Sequence, residues 1–202
     1  MRISITLAIV AITVLVSWRA FGDRRLLERL ILWPPAVERG RQYERLLTYG
    51  FVHADWMHLL FNMLALWSFG TAVEQVFTQW LGPLGYVLFY LSAIVVSILP
   101  TYITHRHDPH YRSLGASGGV AAVLFAFILF DPWSKLIIFP IPVPIPAFLF
   151  ALLYVGYSVW MDRRGRDNVN HSAHLWGAAY GVLFTVLLEP KVLAHFTQRL
   201  LE

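Results

Sequence analysis

The run Gly115-Ala116-Ser117-Gly118-Gly119 places a serine among small residues, where a polar loop gives way to an apolar stretch. Glycines there let a second backbone or an extended substrate come close. The N–H groups of a first helical turn have no partner inside their own helix and can stabilise an oxyanion. Gly115 and Ala116 are therefore candidate stabilising positions and Ser117 a candidate nucleophile. Small residues also serve close helix packing, and the pentapeptide alone favours that reading. A base would be needed, and His174 in Asn170-His171-Ser172-Ala173-His174-Leu175-Trp176-Gly177 is a candidate. An ionisable residue inside an apolar span is costly and is a functional candidate for that reason; a water-bonded interfacial histidine is the alternative. A third polar element is His58-Leu59-Leu60-Phe61-Asn62. Its four-residue spacing puts His58 and Asn62 on one helical face. There an Asn amide could donate to an oxyanion, or the pair could knit helices together.

The elements that must position these residues are apolar helices. Hydrophobic residues make up 57% of the chain, charged residues 14% and aromatics 15%, against about 25% charged in a soluble domain. Lipid is thus the expected solvent. Six apolar stretches, near residues 3–18, 57–73, 83–103, 115–130, 147–161 and 172–188, predict an all-α, polytopic, six-helix membrane bundle forming a single domain over residues 1–202. The first could also be read as a signal peptide, but it ends in Ser17-Trp18-Arg19, without a cleavage site of small residues. Alternating prolines in the segment before the fifth helix favour extended backbone. Leu26, Leu27, Leu30, Ile31 and Leu32 predict a short interfacial helix in the first loop. Helices two, four and six run parallel in such a bundle, so His58, Ser117 and His174 share one end. Gly177 and Gly181 give the sixth helix a small face that can pack against Gly118 and the start of the fourth. No acidic residue stands near His174, which predicts a dyad. The net charge of +4 comes from short basic loop blocks, not from a nucleic-acid surface. There are no cysteines, and the loop histidines His105, His107 and His110 lack further ligands, so neither metal nor cofactor is expected.

Together, His58-x-x-x-Asn62, Gly115-x-Ser117-Gly118 and Ala173-His174-x-x-Gly177-x-x-x-Gly181 resemble the rhomboid family of intramembrane serine proteases. The resemblance implies that Ser117 attacks a peptide carbonyl, that His174 takes its proton, and that His58, the Asn62 amide and the Ser117 N–H surround the oxyanion. It implies transmembrane protein substrates, a first loop partly embedded in the lipid bilayer and a fifth loop capping a water-filled cavity. Two positions depart from the pattern. Glu44-Arg45 stands where a Trp-Arg pair is common, and Ala121 stands where some members stack a tyrosine on the histidine. Something else must then orient His174.

The rival readings are an inactive helix-binding relative and a small transporter using His58, His171 and His174 as a proton path. Orientation is contested. Twelve of the sixteen Lys and Arg lie in loops on the Ser117 side: seven from Arg19 to Arg45, with Arg106, Arg112, Arg163, Arg164 and Arg166. The positive-inside rule would turn that side to the cytoplasm. The resemblance implies a bacterial inner membrane with the active site facing outside, and that is the expectation adopted.

Overall fold

The computed structural model describes residues 4–138, 141–165 and 169–201. The first helix, α1 (Ile5–Gly22), buries Thr6, Ile9, Thr13, Ser17 and Ala20, a stripe of mostly small residues that lets it lie close to its neighbour. Its N-terminal N–H groups are capped from a distance. The Glu74 carboxylate accepts from the Ser4 hydroxyl and from the N–H groups of Ile5 and Thr6 at 2.7, 2.7 and 2.8 Å. Negative charge at a helix N-terminus is favourable.

The first loop carries three short helices, α2 (Arg24–Leu30), α3 (Pro34–Gly40) and α4 (Arg45–Thr48). The α2 helix takes in Leu26, Leu27 and Leu30 of the expected interfacial helix, but Ile31 caps it in extended backbone and Leu32 bridges to Ser113, both buried; α3 starts on a proline pair that suits a first turn. Arg45 holds them together. It is buried, and its guanidinium donates to the carbonyls of Glu28 and Ile31, both at 2.8 Å, and to Gln42 Oε1 at 2.6 Å. The retained guanidinium of the Glu44-Arg45 pair therefore serves as a loop clasp. Leu32 and Ser113 exchange backbone hydrogen bonds at 2.9 and 3.1 Å, tying the first loop to the segment before Ser117.

The long helix α5 (Trp56–His105) breaks at Gly82, whose φ of 73° and ψ of 173° lie outside the helical region. Tyr86 returns to donate to the Gly70 carbonyl, and Phe89 packs edge-on against Phe77. The two arms, 56–81 and 83–105, thus fold back on each other. They cover the expected second and third helices, the first running beyond its expected end at 73. Next comes α6 (Ser117–Phe130), buried from Gly118 to Ala126. At 1.5 Å per residue its 14 residues span about 21 Å, short of the ~30 Å of a bilayer core. It is a central strut enclosed by α5 and α8.

The proline-rich segment is extended as expected: β1 (Lys135–Ile138) pairs antiparallel with β2 (Ile141–Pro146). The helix α7 (Ala147–Arg164) starts only after it, so the segment does not lengthen the fifth helix. Then follow α8 (His171–Leu188) and α9 (Lys191–Leu201), bent 111° from α8. Trp133 donates to the Arg199 carbonyl and His195 to the Phe130 carbonyl, seating α9 beneath α6. Among the described residues two helices, α1 and α5, are long and apolar enough to cross a membrane; α8 with α9 makes a third candidate. Arg166 and Asn168, in the expected capping loop, lie outside the described residues, as does Ile3 at the start of the first stretch.

Candidate active site

Three helix starts meet at one end of the bundle. Asp55 caps α5 by accepting from the His58 N–H at 2.8 Å. This puts His58 in the first turn and Asn62 one turn further, where its amide donates to the His58 carbonyl at 2.9 Å. Gly115 has a φ of 116°, a conformation that suits glycine. A Cβ built there would fall 2.6 Å from His58 Cε1 and 2.8 Å from Nε2. The missing side chain is the space His58 occupies.

Ser117 opens α6. The first hydrogen bond of this helix runs from the Val120 N–H to the Ala116 carbonyl, so the N–H groups of Ser117, Gly118 and Gly119 precede the ladder. A Cβ at Gly177 would overlap the Gly118 carbonyl, and one at Gly181 would overlap the Ala122 carbonyl. The predicted packing of α8 on α6 is thus backbone on backbone. A Cβ at Gly118 would stand 3.3 Å from the Ala173 carbonyl. Gly118 follows Ser117 and Ala173 precedes His174, so this seam brings the backbone beside the serine against the backbone beside the histidine. Ser117 and His174 are half-buried, while the residues behind them are buried.

The base end is held by Asn170, which caps α8 by accepting from the Ala173 N–H at 2.9 Å. Its Oδ1 also accepts from Thr101, and its amide donates to Tyr111 and Ser113. The His174 ring lies nearly parallel to Tyr154 of α7, centroids 6.0 Å apart.

The structure revises two sequence expectations. The Gly115 N–H donates to the Tyr49 carbonyl at 2.9 Å, and the Ala116 N–H donates to His53 Nε2 at 3.3 Å. Both amides are occupied within the protein and secure the segment to the first loop. His53 is the residue that sequence reasoning missed. It is fully buried, edge-on to His58 with centroids 4.9 Å apart. Burial, aided by the nearby His58, pushes its pKa down to about 3. The ring is therefore neutral, with Nε2 as acceptor, so the proton sits on Nδ1 and donates to Ser17 Oγ at 2.9 Å. Ser17 passes the bond to the Phe51 carbonyl. The available signal was a histidine in the same short run as His58 and Asn62. Among the described residues no cluster of three His, Cys, Asp or Glu could hold a metal. His105 instead stacks on Tyr111 at 3.9 Å.

A family model described as the Rhomboid domain matches residues 40–191. The chain belongs to the rhomboid family. It is 30% identical to RHOMBOID-like protein 12, mitochondrial, of Arabidopsis thaliana, over 84% of this chain and 53% of that protein. It is 34% identical to Rhomboid protein 1, mitochondrial, of Saccharomyces cerevisiae, over 66% of this chain and 38% of the relative. Against the human Presenilin-associated rhomboid-like protein, mitochondrial, identity is 33% over 66% and 35% of the two chains. This rhomboid thus spans about half the length of these relatives, or less. It is an integral membrane protein. The mitochondrial names of the relatives stand against the bacterial inner membrane of the sequence expectation.

Proposed function

We propose that this rhomboid is a serine endopeptidase that cuts transmembrane proteins within the bilayer. The observation that carries the reading is the glycine seam, which brings the residue after Ser117 against the residue before His174. In the proposed reaction His174 accepts the Ser117 hydroxyl proton as Oγ bonds to the scissile carbonyl carbon. The carbonyl oxygen becomes an oxyanion beside the Ser117 N–H, the Asn62 amide and His58. As the tetrahedral centre collapses, the peptide C–N bond breaks and His174 returns the proton to the departing amine. Water, deprotonated by the same histidine, then releases the acyl group and restores Ser117.

In this reading α1, the two arms of α5, α6, α7 and α8 supply six crossings. The short α6 starts below the surface, where protein covers its backbone. Ser117 labelling tests the chemistry. A fluorophosphonate should label the purified protein, Ser117→Ala should abolish the label, and an unlabelled, well-folded wild type would favour an inactive relative. The Ser117 end is proposed to face away from the side holding α9. His107→Cys and Gln198→Cys test this, because the chain has no cysteine of its own. In intact membranes an impermeant maleimide added outside should label the first and spare the second. The reverse pattern would mean that the positive-charge count governs orientation.

A further inference from the structure

Ala121 sits one turn into α6 and offers His174 no ring, so the base must be held from elsewhere. The partner is on α7. Tyr154 stacks on His174 with 24° between the ring planes, and Tyr157, one turn on, meets His171 edge-on at 5.6 Å. His171 and His174 in turn meet edge-on at 5.8 Å. Tyr154 is itself fixed by rings from two sides, Phe125 of α6 and Phe150 of its own helix, both at 5.6 Å. The second torsion of a histidine is soft. The lone pair of a neutral imidazole lies in the ring plane, so whatever fixes that plane aims the lone pair.

We propose that Tyr154 is the positioning residue for His174, and that this rhomboid orients its base from α7 instead of from α6. The proposal rests on the Ser117–His174 protease reading. It ties the base to the seating of α7, which buries only Ala147, Ser158 and Met161. A displacement of α7 would release the His174 ring.

The role belongs to the ring and not to the hydroxyl, so Tyr154→Phe should retain wild-type turnover. Tyr154→Leu keeps an apolar filling between Phe125 and Phe150 but removes the ring. A stacked pair of this kind is worth about a three- to tenfold effect. The expected result is a fall of that size in kcat, with KM unchanged. The rate of fluorophosphonate labelling should fall in the same ratio, since it reads Ser117 activation without substrate entry. If the leucine variant unfolds, Tyr154→Met fills the gap flexibly and takes its place. Wild-type labelling by a folded, ringless variant overturns the positioning role alone. A change confined to KM, or an equal loss in Tyr154→Phe, overturns it too. A wild type that takes no label overturns the protease reading along with it.

Discussion

The seam between α6 and α8 and the seat of α7 both reach His174, and they are built in contrasting ways. Along the seam, Gly177 and Gly181 bring one helix backbone onto the carbonyls of Gly118 and Ala122. Nothing flexible lies between them, so the depth of His174 relative to Ser117 is set by main chain. On α7, Leu152, Leu153, Tyr157 and Trp160 are exposed, and Gly156 has open space where a Cβ would go. From there Tyr154 stacks on His174. In the proposed mechanism the part that cannot yield holds Ser117 and His174 at one depth, and the part that can orients the His174 ring.

The largest effect should come from breaking the seam. Gly177→Val drives a branched side chain into the Gly118 carbonyl. The cost should exceed the ~1–3 kcal/mol of ordinary overpacking, because backbone cannot step aside. Thermal unfolding in detergent should show a lowered midpoint and activity should vanish; wild-type melting would refute the close contact. A smaller effect is expected from Asn62→Ala, which leaves both regions intact and removes one of the donors proposed for the oxyanion. Turnover should fall between about tenfold and a hundredfold, since the Ser117 N–H and His58 share the role. An unchanged kcat would remove Asn62 from the oxyanion site.

His53 sharpens the comparison from behind the seam, because it braces Ala116. Its folded pKa of about 3 lies below its ordinary 6.5. Below pH 6.5 the unfolded chain therefore takes up a proton that the folded chain refuses. The stability is full above that pH and falls by about 1.4 kcal/mol per pH unit on the way down towards 3. His53→Ala, less stable at neutral pH, should lose this slope. An identical acid slope in the variant would assign the effect to another group. The smallest effect should lie on α7: Gly156→Ala meets no atom within 4 Å and should stabilise by up to about 1 kcal/mol through helix propensity. A marked loss of stability would show that α7 is packed more tightly than described.

The seam was legible in the sequence because small residues four apart on a helix state their own purpose. The shared depth of His58, Ser117 and His174 followed from helix parity. What was illegible depends on contacts across long stretches of chain. His53 reaches Ala116, 63 residues away, and takes the amide that the local motif leaves without a partner. Tyr49 does the same to the Gly115 N–H. In both cases the helix N-terminus predicted open donors, and a buried loop filled them. Glu74 caps α1 from 68 to 70 residues further along the chain, a pairing that no local pattern announces. Tyr154 stood in an apolar helix among other aromatics, and only the packing of α7 on α8 distinguishes it. A break between the second and third helices was legible between residues 73 and 83, but not that the helices on both sides run up to Gly82.

The central claim is that Ser117 and His174 act as one catalytic unit inside the membrane. The direct measurement is cleavage of a panel of single-span membrane proteins by purified protein in liposomes, comparing wild type with Ser117→Ala, His174→Ala and the double variant. Wild type is expected to cut at least one substrate at or near the end of its helix. Each single variant is expected to lose as much activity as the double, because removing either member disables the pair. Cleavage by folded Ser117→Ala, or losses that multiply in the double variant, would show that the two residues do not act together.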